Sequence, residues 1–221
     1  MRELDNRALK QWIEESLASS SNILAAGYQG KILHYEAGGN DYLIKVPHGK
    51  GVARLFHRHM LRHEYAAYQQ LGDFSGVPEC HGLVDGQYLV LEYVQGRTIR
   101  KKRPLDEDEF HSKLFGYIRE MHARGVAHMD LKRKDNLLVK TDESPCILDF
   151  GAAVIKRKGL HLFNQYRFNL GRQFDYNAWI KHKYHDRMDE ISVLDRKYYR
   201  PTWLEIVAGF IKSLYTRVMG R

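Results

Sequence analysis

Between residues 125 and 151 the chain reads G-V-A-H-M-D-L-K-R-K-D-N-L-L-V-K-T-D-E-S-P-C-I-L-D-F-G, and no other stretch restricts the fold as tightly. The runs L-L-V and C-I-L are short and apolar, flanked by polar or turn-forming residues, which is the pattern of buried strands. Ahead of the first lies a polar loop holding His128, Asp130 and Asn136, and Asp149 stands at the end of the second. Such an order has to bring a loop and a strand end to one polar site. Phosphoryl transfer needs that arrangement: one carboxylate orients the attacking hydroxyl and accepts its proton, while oxygen ligands hold Mg²⁺ against a polyphosphate. Asn136 and Asp149 supply the hard oxygen donors that magnesium prefers.

The flanking sequence changes character near Gly96. Upstream, residues 3–18 lean Leu4, Ala8, Trp12, Ile13 and Leu17 to one side of a short helix that Ser19 to Ser21 ends. Strand-like segments run through 22–47, with a turn at Gly38-Gly39-Asn40-Asp41. Residues 52–71 predict a helix stopped by Gly72, and 81–84 and 88–94 predict two strands joined at Asp85-Gly86. Downstream, the acidic residues at 106–109 suit a helix N-terminus. Phe110, Leu114, Tyr117, Ile118 and Met121 form its apolar stripe and Gly125 its stop. The expected organisation is a helical extension over 1–20, a β-rich half over 21–94 and an α-rich half over 95–221, without internal repeats. Thr202-x-x-Glu205 resembles a capping box, and Trp203, Ile206, Val207, Phe210, Ile211, Leu214 and Val218 then recur at helical spacing.

Composition narrows the class. With 221 residues, 43% hydrophobic and 28% charged, the chain has the make-up of a globular protein with one domain or two small lobes, not of a disordered or collagen-like one. Thirty-five basic against 27 acidic side chains leave a net charge of +8, which favours anionic partners. Cys80 and Cys146 are too few and too far apart for a disulfide framework or a metal-ligand pair. The N-terminal M-R-E-L-D-N-R lacks an apolar signal-peptide core, and no apolar run approaches the roughly 20 residues of a membrane span. A cytoplasmic protein is expected.

The ordered pair H-M-D-L-K…N and D-F-G resembles the protein-kinase-like superfamily, whose catalytic loop reads H-R-D-x-x-x-x-N ahead of D-F-G. Other pieces fall in the same order. Y-L-I-K-V resembles the V-A-I-K strand and makes Lys45 the phosphate-binding lysine; Glu64, 19 residues later on a predicted helix, is its carboxylate partner. Gly27-Tyr28-Gln29-Gly30 resembles a shortened Gly-rich loop, and L-V-L-E-Y-V-Q-G the hinge, where Glu92 to Val94 would offer backbone groups to adenine. The resemblance covers about residues 22–155. It implies an α+β, two-lobed fold: a small antiparallel β-sheet N-lobe with one main helix, and a reduced, mostly helical C-lobe. It also implies ATP and Mg²⁺ as cofactors. Asp130 would be the catalytic base, Lys132 a lysine approaching the γ-phosphate, and Asn136 and Asp149 the metal ligands. His128 is read as holding the loop.

Two departures stand out. Six steps separate Asp130 from Asn136 where the family has five, so Asp135 is a rival for the metal position. After Gly151 there is no A-P-E, and only 70 residues follow. That brevity resembles compact atypical kinases, the RIO-like proteins and the bacterial lipopolysaccharide core (Kdo/heptose) kinases. F-D-Y-N-A-W-I-K-H-K, with Asp175 and Trp179, is read as packing in place of the missing platform. The preferred acceptor is a lipopolysaccharide core sugar, with a serine or threonine on protein close behind and a small molecule third. A nucleotide-binding pseudokinase is the non-enzymatic alternative. The amphipathic C-terminal stretch either packs on the core or touches the inner face of a membrane. The basic run at 97–103 lacks interleaved aromatics, so no specific nucleic-acid partner is predicted. His57, His59 and His63 do not converge on one helical face and are read as solvated surface.

Overall fold

The computed structural model describes residues 5–27 and 30–202. The amphipathic stretch expected from Trp203 onward, and Tyr28 and Gln29 in the glycine loop, lie outside the described residues. Among these the fold is α+β. Helix α1 (Asn6–Ser19) leads into strands β1 (Ile23–Ala26), β2 (Gly30–Ala37) and β3 (Asn40–Pro47), followed by helix α2 (Gly51–Leu71) and strands β4 (Cys80–Val84) and β5 (Tyr88–Glu92). These five strands form one antiparallel sheet in the order β1-β2-β3-β5-β4. Next come β6 (Gly96–Thr98), helix α3 (Glu107–Ala123), β7 (Val126–Ala127), β8 (Leu137–Lys140), β9 (Pro145–Ile147), β10 (Val154–Ile155), helix α4 (Leu162–Lys183) and the short α5 (Val193–Arg196). The antiparallel sheet and helices are compatible with a kinase-like fold.

The side-chain period of two decides what each sheet face does. Tyr42, Ile44 and Val46 of β3 join Leu33, Tyr88 and Val90 in a cluster with Leu9 and Ile13 of α1. Leu89 and Leu91 of β5 point the other way, into a second cluster with Leu61, Ala67 and Tyr68 of α2. With both faces covered, β5 is buried from Tyr88 to Leu91. The second cluster continues through Leu114, Ile118 and Met121 of α3 to Ile147, Phe150 and Trp179, so α2 and α4 rest on the same apolar core. Asp106 caps α3, accepting the Glu109 N–H at 2.9 Å, and Asp5 caps α1, accepting the Arg7 N–H at 2.9 Å.

Several local expectations change. The β2–β3 turn is tighter than the four-residue motif suggests: Ala37 pairs with Asn40, leaving only Gly38 and Gly39, at φ 59° and 79°, a conformation that glycine adopts without steric cost. Strand β5 ends at Glu92, short of the expected Val94, although the Tyr93 N–H still donates to the Asp41 carbonyl of β3 at 3.1 Å. Strand character also persists past Gly96, since β6 pairs with β8 across forty or more positions of sequence, as Thr98 meets Leu138 and Gly96 meets Lys140. Such long-range pairing leaves no local periodicity to read. Finally, His57 and His63 are not solvated. His57 is buried with Nδ1 at 3.0 Å from the His48 carbonyl, and His63 Nε2 donates to the Ala153 carbonyl at 2.7 Å, while His59 is exposed. Helix α2 has more of its circumference covered than its apolar residues alone imply.

The core holds a pH-sensitive element. His111 on α3 is buried, and burial, with His182, His185 and Lys183 nearby, lowers its pKa to about 4. It is neutral in the native state and titrates at about 6.5 when unfolded. The unfolded chain therefore binds the extra proton first, and stability falls as pH drops from about 6.5 towards 4, by up to about 3 kcal/mol. Urea unfolding across this window should show that slope, and His111→Leu should flatten it; an unchanged slope would place the acid sensitivity elsewhere.

Candidate active site

Strand β3 turns Tyr42, Ile44 and Val46 towards α1, which leaves Lys45 on the opposite face, towards α2. Helix α2 buries His57, Leu61, Glu64, Tyr68 and Leu71 along one side, so Glu64 sits one turn from Leu61 and faces the sheet. The two side chains meet: Lys45 Nζ donates to Glu64 Oε1 at 2.6 Å and to Asp149 Oδ1 at 3.3 Å. Glu64 Oε1 also accepts the Phe150 N–H at 3.3 Å. Burial works against the Lys45 ammonium, but Glu64 and Asp149 together hold it above its ordinary value. Burial lifts the Glu64 carboxyl, Lys45 opposing. For Asp149 the Lys45 ammonium outweighs burial and keeps the carboxyl below its usual range. Two carboxylates around one ammonium leave a net negative charge that favours a cation.

The second group of polar residues is built around two strained positions. Met129 and Asp149 both have positive φ, 71° and 66°, a region that costs a non-glycine residue about 1–3 kcal/mol and persists only where surroundings enforce it. Asp175 on α4, fully buried, enforces the first. Its Oδ2 accepts the His128 N–H at 2.8 Å and its Oδ1 the Met129 N–H at 2.9 Å, while His122 Nε2 donates to Oδ2 at 2.9 Å. His128 ties the loop to the strand before Asp149. Its Nδ1 accepts the Asp130 N–H at 3.2 Å, so Nε2 carries the proton and donates to the Leu148 carbonyl at 2.9 Å. Asn136 is buried in a 3₁₀ turn, and its Nδ2 donates to the Asp130 carbonyl at 3.0 Å and to Asp130 Oδ2 at 3.3 Å. The donor end of the amide is thus committed to the loop, which leaves its oxygen end as the one suited to a metal. The rival, Asp135, points elsewhere: Arg100 Nε donates to its Oδ1 at 2.7 Å, and that guanidinium holds the carboxyl below its usual range.

A cleft of about 470 Å³ has Gly27, Gly30, Lys45, Glu64, Arg133 and Asp149 among its lining residues. In the sequence Arg133 reads equally as a charge that neutralises a transferring phosphate and as part of a solvated basic loop; it reaches this cleft, with Nη1 at 3.7 Å from Asp130 Oδ2. A smaller cavity of about 190 Å³ lies beside Asp130, between Met129, Lys132, Phe174, Ala178 and Lys181. Glu92 and Val94 line neither cavity. The Glu92 N–H donates to the Glu79 carbonyl at 2.8 Å and its carboxylate accepts the Glu79 N–H at 3.0 Å, holding this segment against the start of β4.

Gly30 has a packing reason to be glycine, because a Cβ there would collide with the Val46 carbonyl oxygen across the β2–β3 pair. Gly30→Ala must shift backbone, not a mobile side chain, and is expected to cost about 1–3 kcal/mol. Chemical denaturation measures it; a stability equal to the parent chain would mean the strand end yields freely.

No protein-family model matches the chain. Its sequence is similar to serine/threonine-protein kinase D of Synechocystis sp., 28% identical over 96 residues, which is 40% of this chain and 19% of that protein. CBL-interacting serine/threonine-protein kinase 24 of Arabidopsis thaliana is 35% identical over 83 residues, 34% of this chain and 18% of that protein. CBL-interacting protein kinase 25 of Oryza sativa subsp. japonica is 27% identical over 146 residues, 58% of this chain and 28% of that protein. The chain therefore spans less than a third of the length of these relatives. This homology to serine/threonine protein kinases is weak and partial, and it supports a protein-kinase-like superfamily for the chain.

Proposed function

We propose that the protein is an ATP- and Mg²⁺-dependent phosphotransferase of the serine/threonine kinase type, with its cleft between lobes formed by residues 21–94 and 95–221. The observation that carries this reading is Lys45, held between Glu64 at 2.6 Å and Asp149 at 3.3 Å, in a cleft that Arg133 links to Asp130. Lys45 would take phosphate oxygens, with Glu64 fixing its direction. Asn136 and Asp149 would hold Mg²⁺, which when bound would draw charge from the transferring phosphoryl group. Asp130 would accept the acceptor hydroxyl's proton as the new P–O bond forms and ADP departs. Lys132 and Arg133 would neutralise charge on the transferring group. Gly27 and Gly30, bare of side chains at the cleft wall, would let backbone approach the phosphates. Glu92 and Val94, at and just beyond the end of β5, would offer backbone groups to adenine.

The names of the relatives favour a serine or threonine hydroxyl on protein. A lipopolysaccharide core sugar remains a second acceptor, favoured by the absence of A-P-E after Gly151 and by the small cavity at Asp130. Radiolabelled ATP with purified protein, offered delipidated lysate and, separately, purified lipopolysaccharide, separates them. Label in protein bands supports the first reading, and label confined to the glycolipid replaces it with the second. If Mg-ATP binds but no acceptor is labelled above an Asp130→Asn control, the chain is a nucleotide-binding module and the phosphotransfer reading fails.

A further inference from the structure

Between Asp149 and Asp175 the sequence carries Lys156, Arg157, Lys158, Arg167 and Arg172 and no acidic residue. The same stretch turns three large apolar side chains outward between its buried Phe150 and Phe168. Leu160 is 94% exposed, Leu162 78% and Phe163 74%. The later turns of α4 bury Phe168, Gly171, Asp175 and Ala178 against the core, so the apolar residues of its first turn stand off the body of the protein. This projecting segment is nonetheless held in shape. The Arg157 N–H donates to Asn164 Oδ1 at 2.7 Å, and Asn164 Nδ2 donates to the Ile155 carbonyl at 2.9 Å. A cavity of about 350 Å³ opens there, lined by Arg157 and Arg167 together with His161, Leu162, Phe163 and Asn164.

We infer that this surface docks the protein on an anionic lipid bilayer. Leu160, Leu162 and Phe163 enter the boundary between headgroups and acyl chains, and Arg157 and Arg167 flank a lipid phosphate in the cavity between them. The charge supplies half of the argument, since a basic stretch containing no acidic residue is attracted to anionic headgroups. The apolar residues supply the other half. Nucleic acid would satisfy the cations and leave two leucines in water, whereas a bilayer satisfies both at once. The segment is distinct from the amphipathic stretch beyond Thr202, and the inference does not rest on the phosphotransfer reading.

The test is co-sedimentation of the full chain with vesicles of phosphatidylcholine alone and of phosphatidylcholine mixed with phosphatidylglycerol. Binding is expected only to the mixed vesicles, and it should weaken as salt rises. Arg157→Gln with Arg167→Gln should lower partitioning roughly 30-fold, at about a factor of five for each charge near the surface. Leu162→Ser with Phe163→Ser should lower it at least roughly 10-fold. All four side chains are exposed, so thermal midpoints close to the parent's are expected and serve as the folding control. Equal binding to both vesicle types, no binding by the parent chain, or parental binding by both double variants overturns the inference. Capture of an acidic soluble protein in place of vesicles, lost in the same variants, would reassign the surface to a protein partner.

Discussion

Asp130→Asn is expected to lower phosphate transfer about 10²–10⁴-fold, the usual contribution of a general base. The substitution keeps the shape of the side chain and removes its ability to take a proton. The loop should survive it, because the Asp130 carbonyl still accepts Asn136 Nδ2 and the Asp130 N–H still donates to His128. Nucleotide affinity should survive as well, since Lys45, Glu64 and Asp149 bond to one another and not to Asp130. The informative pair of measurements is single-turnover transfer and Mg-ATP titration on the same preparation. Transfer at the parental rate would remove Asp130 from the chemistry, and loss of both properties together would mean that the variant had disturbed the loop instead.

Asp175→Leu should be the most destabilising substitution in the C-terminal half. One fully buried carboxylate satisfies the amides of His128 and Met129 and the ring of His122. Each of the three donors orphaned in the core costs about 1–3 kcal/mol, so about 3–9 kcal/mol is expected in all. That is a large share of the roughly 5–15 kcal/mol that holds a domain folded. It would also free Met129 from its left-handed conformation and with it the position of Asp130. Should the variant not fold, Asp175→Asn supplies the graded test: its amide oxygen can replace only part of the acceptance, and an intermediate loss is expected in urea unfolding. A cost under about 1 kcal/mol for either variant would show that water or other groups take up the abandoned donors.

These two residues also mark what could and could not be read from the sequence. Asp130, Asn136 and Asp149 were visible because short spacings tie them to strands, and the structure gathers Asp130 with Asn136 and Lys45 with Glu64 and Asp149. Lys45 and Glu64 were legible because strand and helix periods aim them at each other. In the sequence Asp175 reads as packing. Its partners lie 46 and more residues away, and an aspartate on a helix gives no sign of which distant amides it faces. For Arg133 the sequence leaves phosphate neutralisation and a solvated loop equally open, since a loop with an added residue has no period from which to infer direction. Two of the three histidines of α2 differ in the opposite sense: His57 and His63 meet backbone carbonyls from His48 and Ala153, contacts that only the tertiary fold creates, while His59 is exposed as its spacing suggests.

The odd length of the segment from Asp130 to Asn136 has a further consequence. On one side Ala127 is laddered to Val154, and on the other Leu137 to Ile147. The span thus behaves as an arch between two fixed abutments, whose footings cannot slide to absorb a longer curve. Added length has to swell at the crown, where Lys132, Arg133 and Lys134 sit exposed. Insertions there would tune how far positive charge overhangs the cleft while leaving the flanking polar groups in register.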